Sequence, residues 1–155
     1  MRPLTSEERA TMNRRKDDFP EVMADIPRMI KELADGVGLQ GPGVPVERFD
    51  ELLTRVDEAI QDLDTQSLDE EAYLWLLTRL GYFAGEFLAR RHQGHWMLQT
   101  DPDADFFLRY VVSGFEGPLG ANTTVDPMHL AENILRLPTG RSLLNEIERL
   151  GSGSP

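Results

Sequence analysis

Most apolar positions along this chain recur at helical spacing, and short β-like runs interrupt that rhythm in one stretch. Phe49, Leu52, Leu53, Val56, Ile60 and Leu63 fall on one side of an amphipathic helix over Val46–Leu63. Val22, Met23, Ile26, Met29, Ile30 and Leu33 form a second stripe. Phe19-Pro20-Glu21 opens that helix, because proline suits a first helical turn. Pro27 lies inside it, where the missing N–H and the ring predict a kink or break. Ser6 to Lys16 reads as a separate short polar helix, within a mobile segment over residues 1–17. Gly36 to Gly43 reads as a loop.

The longest apolar stretch lies between Glu71 and Val112. Ser67-Leu68-Asp69-Glu70 has capping-box spacing and predicts a helix over 68–93, stopped by Gly94. His95–Thr100 and Phe106–Val112 read as the strands of a hairpin, with Asp101-Pro102-Asp103-Ala104-Asp105 as the turn. A short third strand is expected near Thr123–Val125. Asp126-Pro127 signals a helix start, with a helix over Met128–Leu137, a break at Pro138 and a last helix from about Arg141 to Leu150. A hairpin between blocks of helices predicts an α+β fold: about five helices around a small antiparallel sheet packed on helix 68–93. Residues 1–150 form one domain on this reading, with a disordered tail at 151–155.

Stepping 100° per residue along helix 68–93 places apolar groups on nearly every side. Tyr73, Leu76, Leu77, Leu80, Phe83, Ala84 and Phe87 share one face, and Leu74, Gly81 and Gly85 a second. Trp75, Tyr82 and Ala89 share a third with Glu86. Such a helix is buried all round. Glycine in a helix costs about 1 kcal/mol relative to alanine, so Gly81 and Gly85 predict close approach of another backbone, from the hairpin or a crossing helix. Glu86 has two readings: a structural ion pair with Arg90, which is favoured, or a general acid or base in an apolar pocket.

Charge changes this picture at one place. The 155 residues carry a formal charge of −11, and the segment Val46–Glu71 holds ten acidic and two basic residues. Glu47, Glu51, Glu58 and Asp62 align as a ridge on the outer side of their helix, and Asp50 and Asp57 form another. Such a surface disfavours nucleic acid and anionic membrane as partners. It suits solvation, or docking of a basic protein. With no cysteine, disulfides, zinc–thiolate sites and a cysteine nucleophile are excluded. No run approaches the ~18 apolar residues of a membrane span, and Met1 to Glu8 has no apolar signal core, so the expectation is cytoplasmic.

Other chemistry is sparse. His92 and His95 lack a third ligand nearby, and 101–105 fails as a calcium loop because Phe106 and Val112 stand where Gly and Glu are needed. Leu137-Pro138-Thr139-Gly140-Arg141-Ser142 lacks the first glycine and the lysine of a phosphate loop and reads as an interhelical turn. No metal and no cofactor is expected.

The run Leu80-Gly81-Tyr82-Phe83-Ala84-Gly85-Glu86, then Gly94-His95-Trp96, then Asp126-Pro127 before a helix, resembles an uncharacterised family of small bacterial proteins of unknown function. Those proteins share a Leu-Gly…Gly-Glu helix, a tryptophan at the next strand and an Asp-Pro helix start. The resemblance spans roughly residues 73 to 137. It implies a bacterial, cytoplasmic domain and carries over no catalytic residue. Some similar proteins accompany secreted toxins as immunity partners. The leading expectation is therefore a non-enzymatic interaction module that meets a basic protein through Glu47, Glu51, Glu58 and Asp62. The alternatives are a small-molecule binder or enzyme with a pocket of Trp75, Tyr82, Glu86, Arg90 and Trp96, or an oligomeric subunit. In the last, a homodimer for instance, apolar hairpin residues would pair between chains.

Overall fold

A computed structural model describes residues 2–151. The protein is α+β, as its hydrophobic rhythm predicts. Helices α1 (Ser6–Gly36), α2 (Phe49–Ile60), α3 (Glu70–Arg91), α4 (Pro127–Arg136) and α5 (Leu143–Gly151) surround one antiparallel sheet. Its strands are β1 (His95–Leu98), β2 (Tyr110–Ser113) and β3 (Thr124–Val125), in that spatial order. Trp96 faces Val112 across β1 and β2, and Val112 faces Val125 across β2 and β3. α3 packs on α1 and α4, and its second half is the centre of the core.

The expected two N-terminal helices are one. α1 runs 31 residues without interruption through Pro20 and Pro27. It starts on a reciprocal cap: Thr5 Oγ1 accepts from the Glu8 amide, and the Glu8 carboxylate accepts from the Thr5 amide, both at 3.0 Å. Each interior proline opposes the helix by about 3 kcal/mol. Both prolines are exposed, so the carbonyls they orphan can turn to water. Burial of Met12, Ile26, Ile30, Leu33 and Ala34 on the other side outweighs the local penalty.

α2 ends at Ile60, three residues short of the expected Leu63. The buried Arg141 guanidinium donates to the Ile60 and Leu63 carbonyls, and the Gly140 amide to Gln61 O, which turns the chain out of the helix. α3 is capped by Asp69, not Ser67: the Asp69 carboxylate accepts from the Ala72 amide at 2.8 Å. Nor is α3 buried all round. Leu74 and Trp75, in its first turns, are 46% and 38% exposed.

The hairpin and a crossing helix do close on the two glycines, but chiefly through side chains and not backbone. A Cβ on Gly81 would lie 2.4 Å from Met128 Sδ, and one on Gly85 would lie 2.2 Å from the Trp96 ring and 2.8 Å from Pro127. The two glycines therefore seat the start of α4 and the indole of β1. The hairpin is shorter than expected. Gln99 exchanges backbone hydrogen bonds with Leu108 and Arg109, but Phe106 and Leu108 adopt left-handed φ of 64° and 68°, which no regular strand allows. Gly151 closes α5 instead of opening a tail, and the rest of that expected tail lies outside the described residues. No helix among the described residues is long and apolar enough to cross a membrane.

Candidate functional site

A cavity of about 450 Å³ opens where the first half of α1 passes over the sheet. α1 contributes Arg14, Arg15, Asp18 and Val22, and α3 contributes Tyr82. Trp96 comes from β1, Arg109 from the residue before β2, Tyr110 from its first position, and Asp126 and Met128 from the start of α4.

Each group is placed by local structure. Tyr110 ties the sheet to α1: its hydroxyl donates to the Arg15 carbonyl at 2.7 Å, and its ring stacks on Phe19 with centroids 5.7 Å apart. The Arg15 guanidinium lies over the same ring at 5.6 Å. Tyr82 and Trp96 meet with centroids 5.9 Å apart and form an aromatic wall. Burial raises both the Tyr82 and the Tyr110 pKa, so both phenols stay protonated at neutral pH.

Asp126 does two things. Its Oδ1 caps α4, accepting from the Met128 and His129 amides at 3.0 and 3.2 Å. Its Oδ2 lies 3.1 Å from Arg109 Nη2, yet among the described residues no donor meets that oxygen in hydrogen-bonding geometry. The residue is 2% exposed, so a carboxylate sits buried with only a Coulombic partner. Arg109 is half exposed. Arg14 and Arg15 have no carboxylate partner among the described residues.

The pocket expected around Glu86 is split. Tyr82 and Trp96 line the cavity above. Glu86 and Arg90 line a second one, of about 550 Å³, with Pro27, Arg28, Lys31 and the loop at Pro42–Val46. Trp75 lines neither: its ring lies under the Arg79 guanidinium at 4.7 Å and beside Gly36. Glu86 accepts from Trp96 Nε1 at 3.4 Å and pairs loosely with Arg90 at 3.8 Å.

Glu47, Glu51, Glu58 and Asp62 are all exposed, but only Glu51 and Glu58 lie on α2, with Glu47 before its start and Asp62 beyond its end. Glu51 is held by Arg48 at 3.1 Å, which lowers its pKa, and the other three have no ion-pair partner among the described residues. The second ridge is not a free surface. Asp50 pairs with Arg91 at 2.7 Å, and Asp57 accepts from Ser142 Oγ and the Leu143 and Leu144 amides, capping α5. The hairpin's aromatics are engaged within the chain: Phe106 meets His129 at 5.4 Å and Phe107 lies under Arg2. Among the described residues no group of three His, Asp or Glu is placed to hold a metal ion.

Arg14, Arg15, Arg109 and Asp126 were not singled out by sequence as site residues. A signal existed: residues 1–16 hold five basic and two acidic residues (Arg2, Arg9, Arg14, Arg15, Lys16 against Glu7, Glu8), in a chain of net −11. Comparison with protein-family models, curated proteins and solved structures gives no match.

Proposed function

We propose that this protein binds a small organic carboxylate with an aromatic body, without covalent chemistry, in the cavity between α1, β2 and α4. One observation carries the reading. Three arginines, from two elements far apart in sequence, converge on an aromatic-walled cavity in an acidic protein. Guanidinium groups recognise carboxylates through paired N–H donors. Against Asp18 and Asp126, the three arginines leave positive charge in excess in the lining. The volume lies in the range of small-molecule sites, and Trp96, Tyr82, Val22 and Met128 supply an apolar wall.

The test is thermal unfolding with millimolar 3-phenylpropanoate or L-phenylalanine, two aromatic carboxylates. A concentration-dependent rise in Tm in the wild type, reduced in Arg14→Gln/Arg15→Gln, is the expected result. No shift with either compound, or an equal shift in the variant, overturns the proposal.

A second reading keeps the acidic ridge as a docking face for a basic protein. The observation behind it is that Glu47, Glu58 and Asp62 are exposed and unpaired among the described residues. Lysine at Glu51, Glu58 and Asp62 should abolish retention of such a partner in affinity capture. Retention unchanged by the three lysines removes this reading.

A further inference from the structure

We infer that the ligand is a zwitterion of α-amino-acid type, whose ammonium group binds Asp126 while its carboxylate takes Arg109. The inference rests on the proposed carboxylate cavity and names what occupies it.

Asp126 carries the argument. Its carboxylate is almost wholly buried, Oδ1 is committed to the α4 cap, and Oδ2 accepts no hydrogen bond among the described residues. Its counter-charge is Arg109, whose side chain is 49% exposed and lines the cavity. A simple carboxylate that pairs with Arg109 would compete with Asp126 for that charge and leave the buried carboxylate less compensated, which opposes binding. A ligand that brings its own ammonium N–H donors replaces what it takes. Asp18 makes no such demand, because it is exposed and solvated.

Spacing narrows the class. Arg109 Nη2 and Asp126 Oδ2 lie 3.1 Å apart, so the ligand's two charged groups must be neighbours. An ammonium and a carboxylate on one carbon meet that condition, and a long-chain zwitterion does not. Trp96, Tyr82 and Met128 then face the remaining substituent, which favours an aromatic or apolar side chain.

The experiment is isothermal titration of L-phenylalanine, 3-phenylpropanoate (no ammonium) and 2-phenylethylamine (no carboxylate) into wild type and Asp126→Asn. Asparagine retains the capping oxygen, so α4 keeps its start. In the wild type L-phenylalanine should bind about tenfold or more tighter than either analogue, the scale of one charge-assisted hydrogen bond. In Asp126→Asn that preference should vanish while 3-phenylpropanoate binds at least as well as before. Equal affinity of L-phenylalanine and 3-phenylpropanoate for the wild type overturns the zwitterion and leaves the carboxylate cavity standing. Tightest binding by 2-phenylethylamine, or no binding by any of the three, overturns both. The wild-type comparison stands on its own if Asp126→Asn folds poorly.

Discussion

Adding one methyl group at Gly85 should destabilise this protein, although the same change in an exposed helix would help. Gly85 lies in the buried second half of α3. Alanine there gains about 1 kcal/mol of helix propensity. Against this, the new Cβ would sit 2.2 and 2.3 Å from two carbons of the Trp96 ring and 2.8 Å from Pro127. Carbon atoms pack at about 3.5–4.0 Å, so the indole must retreat by more than about 1 Å. It cannot do so freely, because its Nε1 donates to Glu86 and its ring meets Tyr82. Overpacking of this kind costs about 1–3 kcal/mol. Taking its upper end, the net loss is about 2 kcal/mol, or roughly 4–8 °C in Tm for a chain of this length. Urea unfolding followed by tryptophan fluorescence measures it. Gly43→Ala is the control, since nothing lies within 4 Å of its Cβ position, and its effect should stay within about 0.5–1 kcal/mol. A Gly85→Ala midpoint equal to or above that of the wild type would refute the packing argument. So would a loss at Gly43 as large as at Gly85.

Three further outcomes are expected. Pro20→Ala should raise stability by about 1–3 kcal/mol in chemical denaturation, because it restores a helical N–H at an exposed position of α1; a fall in midpoint would mean the proline makes contacts that outweigh its penalty. Asp57→Ala should cost about 1–3 kcal/mol and speed amide exchange at Leu143 and Leu144, whose amides its carboxylate accepts at 2.7 and 3.3 Å; unchanged exchange would remove its capping role. Glu8 should titrate at about 2 by NMR, held down first by its hydrogen bond to Arg2 and then by the Thr5 amide, and should climb toward the ordinary glutamate range in Arg2→Ala. Because pairing lowers its pKa in the folded state, its contribution is present above the ordinary glutamate value and fades as pH falls toward 2.

Local signals carried much of the fold. The α2 stripe, the Asp126-Pro127 start of α4 and the paired glycines of α3 are each encoded within a few residues, and each stands where it was expected. Misreadings arose where a distant contact overruled a local rule. Pro20 and Pro27 mark a break by every local criterion, but the buried face of α1 and the Phe19–Tyr110 stack hold the helix straight through. Arg141 shortens α2 from about eighty residues away. Asp57 sits on an apparently solvated ridge in sequence, yet it serves a helix 86 residues further on. The Phe106–Leu108 run is strand-like in composition, but two left-handed residues curl it out of the sheet.

The candidate site was illegible for the same reason, and its dependence on α1 is the sharpest consequence of the misreading. A break at Phe19–Pro20 would free residues 6–16 from the register that brings Arg14 and Arg15 to the cavity. The Tyr110 hydroxyl, 95 residues away in sequence, locks that register at the Arg15 carbonyl. Arg109 precedes Tyr110 in the chain, so the same contact also fixes where the third guanidinium starts. The two prolines thus weaken the helix that carries two of the three arginines, and a single phenol hydrogen bond offsets that weakness at the point where the arginines project. Tyr110→Phe keeps the ring and removes only the bond. It should therefore lower affinity for an aromatic carboxylate more than it lowers Tm, whereas a purely structural role for Tyr110 would make the two losses track each other.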